Sequence, residues 1–145
     1  MRRRLLVLVA AGALGGILAL TVGPVSQTRA LSEFLDILRA VSAPLGLPEP
    51  TERAAEGLAN VLLFVPLGAA GGWLARRGRQ WWVVLALGVL AVLVEAVQYP
   101  VDGRDASLQD VVLNTIGGLL GVTAAVLSKW WWRRRRVGAT ASASA

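Results

Sequence analysis

The sequence predicts an all-α fold, a bundle of four transmembrane helices with both termini in the cytoplasm. Three observations predict it. The 145 residues are 55% hydrophobic, and the hydrophobic residues fall into four blocks of bilayer-crossing length. Prolines and short polar segments separate the blocks. The net charge is +6, and its basic residues sit at the ends of the blocks rather than along one exposed face. That distribution fits membrane orientation and argues against a nucleic-acid partner. A chain of this length forms a single domain by default.

The first block, Leu5 to Gly23, is uncharged and is ended by Pro24. As a helix it would be ~28 Å long, enough to cross the hydrocarbon core. Arg2 to Arg4 plus an apolar run also has the outline of a secretion signal, with Thr28-Arg29-Ala30 as a poor cleavage site. The run is long for a signal, so a retained span is expected. The second block runs from about Gly57 to Leu74, and its helix is expected to begin at Thr51, between Pro50 and the acid Glu52. Pro66 lies mid-span and is expected to kink that helix. The third block is Trp81 to Tyr99, ended by Pro100. The fourth is Leu108 to Ser128, with Ser107 as a natural N-cap and Asp110 completing a capping-box pattern.

Orientation follows from the basic residues. Arg2, Arg3 and Arg4 precede the first span; Arg76, Arg77 and Arg79 link the second and third; Lys129 and Arg133 to Arg136 follow the fourth. These eleven mark the cytoplasmic side, against Arg29, Arg39, Arg53 and Arg104 on the other. None of the nine Asp and Glu residues falls in a cytoplasmic segment. Trp81, Trp82 and Trp130 to Trp132 lie beside the cytoplasmic charges, as an aromatic belt does.

In the first outer loop, Leu31, Phe34, Leu35, Leu38 and Val41 recur at helical spacing with Glu33, Asp36 and Arg39 between them. This predicts a short amphipathic helix, either on the outer membrane surface or packed on the spans. Pro44 to Pro50 reads as a stiff turn region, and residues 137–145, rich in Ala and Ser, as a disordered tail after a domain spanning 1–136.

Cysteine and histidine are absent, so there is no disulfide, thiol nucleophile, histidine base or histidine metal site. No metal and no cofactor is expected. The polar residues that remain in the spans gather at one depth. Asn60 is one turn into the second span from outside. Glu95, with Gln98 three residues on, is near the outer end of the third. Asp110 and Asn114 occupy the first turns of the fourth, and Arg104 lies in the loop between. Asp110, Asn114, Gly117 and Gly121 share one helical face, as do Asn60, Phe64 and Gly68. Gly68 with Gly72, and Gly117 with Gly121, form small-residue patterns that permit close helix contact. An ionisable group in hydrocarbon costs ~3 kcal/mol on insertion scales and is usually paired or functional. For Glu95 the simplest structural partner is Arg104; for Asp110 it is its own helix end.

Three stretches in order bear a family likeness: Asn60-Val-Leu-Leu-Phe64-Val-Pro66-Leu-Gly68, then Glu95-Ala-Val-Gln98, then Arg104 followed by Ser107-Leu-Gln-Asp110-Val-Val-Leu-Asn114-Thr-Ile-Gly117-Gly118-Leu-Leu-Gly121. Over residues 57–127 the chain resembles the VanZ-like proteins, small bacterial membrane proteins named for a teicoplanin-resistance factor. The resemblance implies a polytopic protein of the bacterial cytoplasmic membrane and a link to lipoglycopeptide sensitivity in the namesake. It implies no defined enzymatic activity. Members often carry a second acid just before the Asp110 position, where this chain has Gln109.

Three function classes follow. A binding protein for an amphiphile would meet the polar head of a lipoglycopeptide or an envelope lipid with Asn60, Glu95, Gln98, Arg104, Asp110 and Asn114, and the acyl chain with apolar faces. An enzyme on a lipid-linked substrate would use Glu95 and Asp110 as acid and base with Arg104 on a phosphate; no nucleophile motif or metal-ligand set supports it. A structural subunit would use the glycine stripes to dock another membrane protein. An ion-driven transporter ranks last, because it needs ionisable groups near the midplane.

Overall fold

The computed structural model describes residues 2–22, 24–98 and 107–142, with side chains at 4–16, 29–97 and 107–135. Arg104 and the side chain of Gln98 lie outside the described residues. The described residues form five α-helices in succession, α1 Arg2–Val22, α2 Pro24–Ser42, α3 Glu52–Leu74, α4 Gln80–Gln98 and α5 Leu108–Ser142, with a 3-10 turn at Ala43–Leu45 after α2. The described residues contain no strand. Among the described residues, three helices are long and apolar enough to cross a membrane: Glu52–Leu74, Gln80–Val97 and Leu108–Arg135. The apolar stretch described within α1, Arg4–Gly16, is shorter.

Local chemistry accounts for the boundaries. Thr51 caps α3, its Oγ1 accepting from the Ala54 N–H at 3.2 Å, with Glu52 in the first turn. Pro66 is held inside α3 without ending it. Gly78 takes the left-handed φ of 81° in the turn between α3 and α4, where a side chain would be strained. In α2, Leu31, Phe34 and Leu38 turn partly inward and Leu35 is buried, so this amphipathic helix packs on the bundle. Val41, at the edge of the stripe in the last turn, is exposed.

The bundle is organised by α3 and α5, which run side by side in the same direction. Arg53 meets Gln109, Gly57 meets Leu113, Val61 meets Gly117 and Val65 meets Gly121, each pair one turn further along both helices. Glycine makes the approach possible. A Cβ on Gly117 would lie 2.2 Å from the Val61 carbonyl oxygen, and one on Gly121 2.1 Å from that of Val65. On the facing helix, a Cβ on Gly68 would lie 2.1 Å from the Gly118 carbonyl oxygen. Without a hydrophobic drive between helices in lipid, such backbone-level packing is a main source of association. Both glycine patterns are therefore consumed within the chain, which removes them as a docking surface for another membrane protein.

Helix α4 runs antiparallel to both. Leu87 packs on Gly118, and Glu95, further along α4, meets Ser107 at the start of α5. Phe64, Leu67, Leu87 and Ala91 form the buried core, and Ala10 and Ala13 of α1 pack against it. At the far end Lys129 ties α5 to α3: its Nζ donates to the carbonyls of Gly72 at 3.0 Å and Ala75 at 3.3 Å. These are orphan carbonyls of a helix C-terminus, where a cation is favoured.

Helix α5 passes Ser128, the end expected from hydropathy, and continues to Ser142. Residues 137–142, assigned by composition to a tail, are helical. Neither Gly nor Pro interrupts Lys129 to Val137, and the Arg134 and Arg135 guanidiniums stack on the Trp130 and Trp131 rings one turn back. Such i,i+4 contacts support the helix beyond the apolar run.

Candidate functional site

Leu87, Ala91 and Glu95 lie on one face of α4 at successive turns. Leu87 and Ala91 are buried in the core, and the same face carries Glu95 inward, leaving it 8% exposed. There its Oε1 accepts a hydrogen bond from the Ser107 backbone N–H. A carboxylate taken from water needs such a donor, and a helix N-terminus also favours negative charge. Glu95 thus caps α5 from a neighbouring helix. A capping box would give that N–H to Asp110; here Glu95 holds it, while the Asp110 N–H donates to the Ser107 carbonyl at 3.0 Å. Asp110 itself is half-buried.

One turn deeper is Asn114, the other buried polar side chain among the described residues, at 3% exposed. Its Oδ1 makes no hydrogen bond. The adjacent hydroxyl is no donor for it, since Thr115 Oγ1 donates to the Val111 carbonyl at 2.8 Å. A buried polar atom left unpaired costs about 1–3 kcal/mol, and such exceptions call for a functional or solvent explanation.

Asn60 is half-buried on α3, next to Val61, whose carbonyl packs on Gly117. Above it Arg53 Nη2 donates to Gln109 Oε1 at 3.2 Å, bridging the first turns of α3 and α5. The structure therefore gathers Asn60, Glu95, Asp110 and Asn114 at the end of the bundle where α3 and α5 begin. Because those two helices are parallel, their positive dipole ends point the same way, which is a physical reason for acids there and for Lys129 at the opposite end.

Two contacts escape sequence reasoning. The partner of Glu95 is a backbone N–H, which has no residue signature. The Arg53–Gln109 bridge joins positions on separate spans that only the parallel register brings together. Among the described residues no group of three or more acids, His or Cys forms a metal-binding set.

A family model described as VanZ/LLP1 matches residues 10–129. No curated protein and no solved structure matches the chain.

Proposed function

The chain belongs to the VanZ/LLP1 family of membrane proteins, and from that premise we propose that it binds an amphiphilic ligand of the bacterial envelope at the polar end of its bundle. In this reading four spans cross the cytoplasmic membrane with both termini inside. The end bearing Glu95, Asp110 and Asn114 faces outward. The ligand is an envelope lipid or a lipid-tailed glycopeptide such as teicoplanin.

The observation that carries the reading is the buried, unpaired Oδ1 of Asn114. Packing alone gives no reason to keep an amide there, because an apolar residue would remove the desolvation cost. A ligand headgroup that donates hydrogen bonds would pair with it, within reach of the acids at the same end. Exposed apolar side chains on α4, Val89, Val92 and Leu93, provide a surface for an acyl chain.

The test is expression of wild type, Glu95→Gln and Glu95→Ala, scored by teicoplanin sensitivity and cell-bound antibiotic. Glutamine keeps an oxygen for the Ser107 N–H, so its folded yield should match wild type while its effect on sensitivity falls at least about tenfold, the factor set by ~1.4 kcal/mol of lost interaction. Alanine strands that N–H and should also lower stability by about 1–3 kcal/mol. A wild-type effect that Glu95→Gln leaves intact would reject Glu95 as a ligand contact. No wild-type effect on either score would remove lipoglycopeptides as ligands.

A further inference from the structure

The opposite end of the molecule carries a second, differently built surface. Helix α5 has 35 residues and is ~52 Å long, against ~30 Å for a hydrocarbon core. Counted from Leu108, Trp130 lies ~33 Å along the axis and Arg134 ~39 Å, the depths of the far interface and its headgroups. Lys129, bonded to the carbonyls at the end of α3, fixes this level relative to the bundle.

On this extension the Arg134 guanidinium sits 3.9 Å from the Trp130 ring centroid and the Arg135 guanidinium 3.6 Å from that of Trp131. Trp130 and Trp131 are 51% and 44% exposed. A guanidinium carbon this close over a ring is in cation–π contact, and its five N–H donors are the groups that pair with phosphate in a fork. The ring below is at home at the acyl–headgroup boundary. Arg76, Arg77 and Arg79, all exposed, belong to the α3–α4 turn at the same end.

We propose that the stacked Trp130–Arg134 and Trp131–Arg135 pairs form a binding site for the phosphate headgroup of anionic phospholipid in the leaflet at this end. The apolar rings meet the upper acyl chain and the guanidinium edges the phosphate. This inference requires only that the chain is a membrane protein, and it is independent of the ligand proposed for the Glu95 end.

The experiment uses the full chain purified in detergent, with phosphatidylglycerol or phosphatidylcholine added at equal concentration and bound lipid counted by native mass spectrometry. Wild type should retain phosphatidylglycerol in preference. R134Q/R135Q should bind it about 30-fold more weakly, from roughly fivefold per basic residue at a membrane surface. R76Q/R77Q, equal in charge change but lacking the stacked rings, should lose clearly less. R134K/R135K, which keeps the charge without the planar fork, should fall about fivefold. Equal retention of both lipids by wild type would overturn the proposal. So would full binding by the lysine pair, which would leave generic charge attraction, or displacement of the lipid by a short oligonucleotide at lower concentration, which would assign the surface to nucleic acid.

Discussion

Gly121→Ala should abolish the close seam between α3 and α5, at a cost of about 3 kcal/mol or more. A single methyl at Gly121 would lie 2.1 Å from the Val65 carbonyl oxygen and 2.6 Å from the Ala69 backbone nitrogen. Both obstacles are backbone, so no rotamer change relieves them. The two helices would have to part by about an ångström. The neighbouring contacts at Gly117 and Gly68 depend on the same approach, so the loss would spread along the seam. Gly12, Gly15 and Gly16 of α1 supply the control, because a Cβ at any of them meets nothing within 4 Å. Alanine there should be neutral or stabilise the helix by up to ~1 kcal/mol. Unfolding by SDS titration in mixed micelles, with monodispersity by size exclusion, checks both. A Gly121→Ala protein as stable as Gly16→Ala would mean that α3 and α5 do not pack at backbone distance.

Asn114→Leu should have the opposite sign on stability and a large effect on function. Leucine keeps the branching at Cγ while removing the amide, so the unpaired Oδ1 and its penalty of about 1–3 kcal/mol disappear, less a smaller cost for the added volume. The variant should resist SDS slightly better than wild type. It should also lose the ligand-dependent phenotype, because the buried amide is the group the ligand completes. A residue whose removal strengthens the fold and ends the function serves a site, as many natural trade-offs do. Lower stability on removing the amide would instead identify Asn114 as structural glue between helices.

How far the sequence carries this picture depends on which physical signal each feature leaves. The start of α3 is legible because Thr51 and Glu52 after Pro50 form a helix N-terminus, and the structure bears the cap out. The end of α5 is not, since hydropathy falls at Lys129 while the backbone has no cause to stop there. Gly68, Gly72, Gly117 and Gly121 announce close contact, but not that α3 and α5 are the helices that meet or that Val61 and Val65 are the residues approached. At the polar end, depth along each span places Asn60, Glu95, Asp110 and Asn114 together, because helical rise converts residue number to height. Sequence reasoning then looks for a cation to pair Glu95 and finds Arg104. The described partner is the Ser107 N–H, a group every residue but proline carries. Lys129 reads as one more cytoplasmic charge, yet its bonds to Gly72 and Ala75 close the other end of the α3–α5 pair.

In the proposed reading the Glu95 end faces out of the cell and holds the ligand. The absence of native cysteine makes it directly measurable. Gln109→Cys and Arg79→Cys place one thiol each at exposed positions on opposite ends of the bundle. With a membrane-impermeant maleimide on intact cells, Gln109→Cys should label at once and Arg79→Cys only after permeabilisation, and a bound amphiphile should slow labelling at Gln109. Labelling of Arg79→Cys in intact cells, with Gln109→Cys protected until lysis, would place the Glu95 end in the cytoplasm and overturn the proposed site.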